Sequence, residues 1–177
     1  MRELNNSAAV LGQLGEVKRA RELTTRSFEE AQRFGHAVAL SWVETQLVDH
    51  LYWDGEWDEL ARRTDAIIEE APAGRSSVSV VDAHVLRSLV RVARGDPEGA
   101  LDDTRRAVEL VEAGGDPQVA FPALAARIRV LFEAGLLEEA TATMHHLLAR
   151  WESSPGSMAG PWLAGIGPAA LGLDEGE

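Results

Sequence analysis

The chain has 177 residues, of which 45% are apolar and 26% are charged, and this composition is typical of one globular domain rather than of a disordered chain. It has no apolar run near the roughly 18 residues that span a bilayer, no basic and apolar leader at its start, and no cysteine, so we expect a cytoplasmic protein without disulfides or thiolate metal sites. The net charge of −12 argues against direct binding of nucleic acid or of anionic membranes, because both require a basic surface.

The most informative pattern is an internal repeat of forty residues. Glycine lies at positions 15, 55, 95 and 135, and an alanine or a leucine follows each of these glycines five residues later. Glycine favours a tight turn, and the small or apolar residue suits the start of a helix that packs closely on its predecessor. The repeat therefore predicts four helical hairpins.

The two helices of each hairpin differ in their apolar pattern. The segments before the turns, at about 4–14, 37–54, 77–94 and 118–134, are the more apolar and are predicted to be the more enclosed first helices. The second helices carry one apolar or small stripe at spacings of 3 and 4, and charged residues such as Asp102 and Asp103 are expected to face water. The stripe comprises Ala20, Leu23, Thr24, Ser27, Phe28 and Ala31, then Leu60, Thr64, Ile67 and Ile68, then Ala100, Thr104, Ala107, Val108 and Val111, then Ala140, Met144, Leu147, Leu148 and Trp151.

Proline, glycine, serine and aspartate predict where the helices begin and end. Pro122 leaves two interpretations open: it interrupts a helix that starts at Pro117, or that helix starts nearer Phe121. The predicted stops and caps are Gly35, residues 73–74, 76–77, 114–115 and 155–156, and the aspartates directly before Pro97 and Pro117.

These residues resemble tetratricopeptide-like repeats, in particular the long variety of about forty residues found in large bacterial LuxR-type (MalT-like) regulators. The resemblance covers residues 4 to about 152 and rests on the four glycine turns, on the paired stripe residues, and on residues 4–11, which are similar to the Leu-Asn-Asn-Leu-Ala start of that family. It also rests on the small residues that open three of the second helices, Ala20, Ala100 and Ala140. The positions that depart from the family pattern are Leu60, Arg87, Arg91 and Arg127.

The resemblance implies an all-α fold, a right-handed α-solenoid of four helical hairpins plus a short C-terminal helix. The expected divisions are repeats at about 1–35, 36–75, 76–115 and 116–156, followed by residues 157–177 as a capping helix or a truncated fifth repeat. The C-terminal segment is apolar and poorly suited to face water, which favours a truncated repeat or a covering partner, and self-association through this end is a further expectation.

In such a solenoid the first helices line a concave surface, and the resemblance implies that this surface binds. Trp42, Gln46, Asp49 and Trp53 lie at spacings of 4, 3 and 4, which puts two indoles, an amide and a carboxylate on one helix face. Rigid aromatic residues beside hydrogen-bonding groups are good anchors for a peptide or ligand, whereas the alternative is that both indoles lie in the core between repeats. The groove residues predicted from the register are Asn5, Asn6, Trp42, Gln46, Asp49, Trp53, Leu89 and Arg129.

A second stripe is basic and allows two interpretations. It is either a site for an anion or an acidic peptide, or a set of ion pairs with carboxylates of neighbouring helices, and the ion pairs are favoured. The stripe comprises His84, Arg87, Arg91 and Arg94, and the candidate partners are Asp102, Asp103 and Glu69.

No arrangement of residues predicts catalysis, a cofactor or a metal. His145 and His146 are adjacent on a helix, so their rings point about 100 degrees apart, and a capping or surface role is expected for Asp49 and His50. The leading hypothesis is a non-catalytic interaction module of a bacterial regulator or adaptor that binds a peptide or protein partner. The alternative is a small-molecule effector-sensing domain of a transcriptional regulator or signalling ATPase.

Overall fold

The computed structural model describes residues 2–71, 77–114, 117–153 and 166–174, and within these ranges it contains helices and no β-strand. The all-α prediction is confirmed to that extent, and none of the described helices is long and apolar enough to cross a bilayer. The chain divides into two compact units, Met1–Ser79 and Val80–Glu177, which are described separately. The helices are α1 (Arg2–Gln13), α2 (Val17–Phe34), α3 (Ala37–Asp54), α4 (Trp57–Glu69), α5 (Ser77–Ala93), α6 (Pro97–Glu112), α7 (Pro117–Glu133), α8 (Leu137–Ser153) and α9 (Gly167–Asp174).

The four predicted turns share one backbone geometry. The glycines at 15, 55, 95 and 135 have φ angles of 79, 77, 80 and 74 degrees, in the left-handed region that glycine adopts without a steric penalty. In the third turn, for example, the Gly95 amide donates to the Val92 carbonyl (3.1 Å) and the Asp96 amide to the Arg91 carbonyl (2.9 Å), and the other three turns repeat both bonds. These bonds satisfy the last carbonyls of the first helix and allow the next helix to begin at once.

The second helices bury the predicted stripe at the same register positions. Ala20, Leu60, Ala100 and Ala140 are each at most 1% exposed. Four residues further on, the buried hydroxyls of Thr24 and Thr64 donate to Ala20 and Leu60 carbonyls (both 3.0 Å), and that of Thr104 donates to the Leu101 carbonyl (3.1 Å). Because each hydroxyl has an acceptor within its own helix, three threonines enter the core without an unsatisfied donor.

Three predictions about helix faces are wrong. Leu148 and Trp151, which were assigned to the buried stripe of α8, are 37% and 42% exposed. Asp103, which was expected to face water, is 1% exposed because basic residues of α5 surround its carboxylate. Amphipathic spacing assigns a residue to a face of its helix but does not identify which residues of other helices lie there.

In the first unit, α1 packs on α2, α2 on α3, and α3 on α4. Two polar contacts join α2 to α3: an ion pair between Arg21 and Asp54, and a hydrogen bond between the His50 Nε2 and Thr24 Oγ1 atoms (3.2 Å). At the start of α5 the Ser79 hydroxyl donates to the Ser41 carbonyl (3.1 Å). These contacts set the position of α3 within the unit.

In the second unit, α7 packs between α6 and α8, and the short helix α9 packs on α7 and α8. Ile166 and Ala169 are buried in an apolar cluster with residues of α7 and α8, and Gly172 lies so close to the Phe132 ring that a Cβ atom would overlap it. Helix α9 therefore covers part of the apolar surface that α7 and α8 form. The cluster comprises Phe121, Leu124, Ala125, Ile128, Leu147, Ile166 and Ala169.

The helix ends near Gly35, Asp96 and Gly114 agree with the predictions, whereas α4 ends at Glu69, before the predicted stop at residues 73–74. Gly35 ends α2 with φ 64 degrees, and Gly114 also has a positive φ, of 112 degrees. The Asp96 carboxylate caps α6 by accepting a hydrogen bond from the Gly99 amide (2.9 Å), with Pro97 in the first turn. Helix α7 begins at Pro117 and contains Pro122, so the first of the two interpretations of this segment is correct. The predictions at residues 73–74, 76, 115–116 and 155–156 lie outside the described residues.

The first testable prediction concerns the left-handed turn. Replacing Gly15 by alanine should lower the free energy of unfolding by about 1 kcal/mol, because alanine pays the steric cost of φ 79 degrees while its methyl group meets no atom within 4 Å. Thermal unfolding followed by circular dichroism at 222 nm measures the change.

Gly12, three residues earlier, is the matched control. It lies inside α1 with no atom within 4 Å of an added methyl group and without a positive φ, so Gly12→Ala should stabilise the protein by about 0.5–1 kcal/mol. Equal effects of the two substitutions would contradict the turn geometry.

Candidate functional site

The four residues predicted on α3 lie on one face of a helix that runs from Ala37 to Asp54 and ends at Gly55. Trp53 is 72% exposed near the end of this helix, so the interpretation that both indoles lie in the core is wrong for Trp53. Trp42, Gln46 and Asp49 are partly buried. We call Gln46, Asp49 and Trp53 the α3 acceptor face, because its polar groups mostly accept hydrogen bonds.

Gln46 contributes an acceptor that has no donor. Its Oε1 atom is inaccessible to solvent and makes no hydrogen bond. The Oδ1 atom of Asn5 on α1 is likewise inaccessible to solvent and makes no hydrogen bond. Buried polar atoms are normally paired, since leaving one unsatisfied costs about 1–3 kcal/mol. These two orphaned oxygens belong to residues that sequence analysis had assigned to a binding groove.

Asp49 is a partly buried carboxylate without a cationic partner among the described residues. Burial raises its pKa from 3.8 to about 6, and a hydrogen bond from the Trp53 side chain only partly offsets this effect. No lysine, arginine or histidine of the described ranges forms an ion pair with it. The side chain is therefore held in an environment that disfavours its charge.

An aromatic cluster supports the exposed indole. The ring of Tyr52 contacts two indoles. Its centroid lies 5.2 Å from that of Trp53 in an edge-to-face arrangement, and 6.4 Å from that of Trp57 in a stacked arrangement. The Trp57 Nε1 atom donates to the Tyr52 carbonyl (3.2 Å), which fixes the cluster across the turn at Gly55. Tyr52 and Trp57 are not among the predicted groove residues, although three aromatic residues within six positions are a visible signal in the sequence.

His50 has a structural role. The single hydroxyl proton of Thr24 is donated to the Ala20 carbonyl, so the Nε2 atom of His50 must donate to the Thr24 oxygen. Burial and the nearby charge of Arg21 both lower the pKa of His50, which favours the neutral ring. The residue therefore joins α3 to α2 rather than acting as an acid or base.

The remaining predicted groove residues are not assembled with the α3 acceptor face by any described hydrogen bond. Asn6 is exposed on α1, and Leu89 is partly buried on α5 in the second unit. Arg129 is exposed on α7, where with Phe132 and Glu133 it lines a cavity of about 230 Å³ against Pro168 and Ala169 of α9. Arg129 and Glu133 are one helical turn apart but form no ion pair with each other.

The basic stripe of α5 forms the ion pairs that were favoured over an anion site. Arg87 donates two hydrogen bonds to the Asp103 carboxylate (2.9 and 2.6 Å), and Arg91 (2.9 Å) and His84 (2.8 Å) add one each. Arg91 also donates to the Gly99 carbonyl (3.1 Å). The carboxylate is thus fully paired and joins α5 to α6.

These partners determine the charge state of Asp103. Burial alone raises the pKa of this carboxyl, but hydrogen bonds from His84 and Arg87 and the charges of Arg87 and Arg91 outweigh burial and hold the pKa below its ordinary value. The group stays ionised in the folded protein. The pKa of Asp49 shifts in the opposite direction: it rises, because no described cation offsets the effect of burial.

Comparisons with known proteins add no relative: no protein-family model, curated protein or solved structure matches the chain. Within the described ranges, no group of three histidine, cysteine, aspartate or glutamate side chains is arranged to hold a metal ion.

The second prediction tests the Asp103 cluster. Asp103→Asn should lower the free energy of unfolding by about 3–5 kcal/mol at pH 7, because it removes the buried negative charge that Arg87, Arg91 and His84 share. Asp102→Asn is the control: this neighbouring carboxylate is exposed and pairs with exposed Arg105, so its loss should change the free energy by less than about 1 kcal/mol.

The pH dependence gives the same prediction a second readout. A carboxyl whose folded-state pKa is lowered stabilises the protein above its unfolded-state pKa of about 4, and this contribution is lost as the pH falls through the folded-state value. The stability difference between wild type and Asp103→Asn should therefore shrink below pH 4. A constant difference down to pH 2 would contradict the pairing.

The third prediction concerns Asp49 and has the opposite sign. Because its folded-state pKa of about 6 exceeds the unfolded-state value, ionisation of Asp49 destabilises the fold above pH 6, and this penalty disappears below pH 4. Asp49→Asn should stabilise the protein by about 1–2 kcal/mol at pH 8 and have little effect at pH 4. Urea denaturation at the two pH values measures the difference, and destabilisation at pH 8 would show that the carboxylate has a stabilising partner.

Proposed function

We propose that this chain is a non-catalytic, tetratricopeptide-like interaction module, part of a bacterial regulator or adaptor, that binds a peptide or protein partner on the groove-facing side of its first helices. The recurrence of one turn geometry and one buried stripe every forty residues supports a helical-repeat architecture of this kind. In such repeats each hairpin presents its first helix to a ligand.

The α3 acceptor face is the observation on which the proposal rests. It combines an indole that is 72% exposed with a buried amide oxygen and a carboxylate, and among the described residues the oxygen has no donor and the carboxylate no cation. Binding hot spots commonly combine a rigid aromatic anchor with polar groups that are satisfied only in the complex. A partner that supplies donors would remove the cost of both acceptors.

The energetic position of Asp49 supports the same conclusion. Selection for stability alone would replace a carboxylate that destabilises the free protein at neutral pH. Selection for binding would retain it if it contacts a partner. By contrast, Asp103 is buried with a complete set of donors and stabilises the structure without any partner.

A second candidate function is the sensing of a small-molecule effector, and the cavity of about 230 Å³ beside Arg129 favours it. An exposed guanidinium, an aromatic ring and a carboxylate converge there, which suits a small polar ligand. Thermal-shift screening against sugars, nucleotides and small carboxylic acids tests this alternative, because a bound ligand stabilises the native state.

The fourth prediction tests partner binding. Peptides selected from a random display library against the full chain should bind through α3, so Trp53→Ala should weaken their affinity tenfold or more in fluorescence anisotropy titrations. Since the Trp53 side chain is mostly exposed but donates a hydrogen bond to Asp49, the midpoint of thermal unfolding should fall by no more than about 5 °C.

Phe34 provides the matched control. It is another exposed aromatic residue of the same unit, 66% exposed at the end of α2, and Phe34→Ala should leave the affinity of the selected peptides unchanged. Equal binding of the selected peptides to the wild type and to Trp53→Ala would refute the assignment of the binding surface to α3.

A further inference from the structure

We infer that the α3 acceptor face binds the guanidinium group of an arginine in a basic segment of the partner protein. This inference rests on the proposed function and deepens it, because it names the chemistry that the partner must carry. It is argued from the hydrogen-bonding state, the charge and the exposure of Gln46, Asp49 and Trp53.

The hydrogen-bonding state of the face calls for a donor. The Gln46 Oε1 atom has no donor, and the Asp49 carboxylate has only the Trp53 side chain as a partner within the described residues. An apolar or anionic guest would leave the Gln46 oxygen without a donor and the Asp49 charge without a counter-charge. A guanidinium group presents five N–H donors in one plane and carries a positive charge, so it can supply both.

The charge of the face calls for a cation. Arg21 on α2 is paired with Asp54, and no cation of the described residues pairs with Asp49. A guest with a positive charge would stabilise the ionised carboxylate, which the free protein disfavours. The net charge of −12 would also attract a basic segment over a longer distance.

The aromatic part of the face favours arginine over lysine. Trp53 has most of its surface in contact with solvent, while the edge-to-face contact with Tyr52 holds its orientation. A guanidinium stacks on an indole and can still donate hydrogen bonds from its edge, whereas an ammonium is a more strongly hydrated point charge. Gln46 and Trp53 lie about one helical turn before and after Asp49 on the same face of α3, so a group bound at Asp49 has both of them as neighbours.

The experiment uses the full chain and three synthetic peptides with the same fluorescent label. The peptides are four repeats of Gly-Arg, four of Gly-Lys and four of glycine-citrulline, in which citrulline keeps the shape of arginine without its charge. Fluorescence anisotropy at 150 mM salt, where weak long-range attraction is screened, measures their affinities. We expect the arginine peptide to bind at least tenfold more tightly than the citrulline peptide and more tightly than the lysine peptide.

Two variants separate the site from the overall negative charge. Asp49→Asn should weaken binding of the arginine peptide tenfold or more, and circular dichroism should show an intact fold because this substitution removes a destabilising charge. Glu22→Gln removes the same single charge from an exposed position on α2 and should change the affinity less than twofold. Gln46→Met, which keeps the length of the side chain but lacks the acceptor, should weaken the arginine peptide more than the citrulline peptide.

Two results would overturn the inference. Equal binding of the arginine and citrulline peptides would exclude a cation site. Equal effects of Asp49→Asn and Glu22→Gln would show that the peptide binds only through non-specific electrostatic attraction. If library-selected peptides still depend on Trp53 in either case, the proposed interaction function stands and only the arginine assignment fails. If no peptide of any composition depends on Trp53, both fail.

Discussion

The left-handed glycine turn is the constraint on which the rest of the structure depends. A first helix ends, and the next begins, within three residues, which is achieved only where the backbone takes a positive φ and two amides return to the carbonyls of the previous turn. Because all four turns do this in the same way, residues forty positions apart enter equivalent places in their hairpins. The buried alanines and threonines of the second helices follow from this equivalence.

Asp103 and Asp49 are both at least partly buried, but their pKa values shift in opposite directions. Asp103 receives hydrogen bonds from His84, Arg87 and Arg91, which outweigh the cost of burial and lower its pKa, so the paired charge stabilises the contact between α5 and α6. Asp49 is also removed from water, yet it has no cation within the described residues and its pKa rises to about 6. The Asp103 charge is stabilised by partners within the chain. The Asp49 charge becomes favourable only when another molecule supplies a positive charge.

Part of the candidate site followed from the sequence. The spacing of Trp42, Gln46, Asp49 and Trp53 placed them on one helix face, and the structure keeps them there. The exposure of Trp53, the missing donor at Gln46 and the raised pKa of Asp49 did not follow from it, because each depends on which atoms of other helices approach that face. The error at Asp103 has the same origin, since its partners lie on another helix more than ten residues away in the chain.

The sequence by itself determined the all-helical class, the approximate bounds of α1, α3 and α5, the four turns and the Asp96 cap, because these depend on local periodicity and on the backbone preferences of glycine, proline and aspartate. Only the tertiary structure decided that α9 packs on the last hairpin, that the α5 arginines surround one carboxylate, and that within the described residues the Gln46 oxygen has no donor and Asp49 has no cation. Whether a polar atom finds a partner is a property of packed surfaces, and a linear pattern does not contain the distances on which pairing depends.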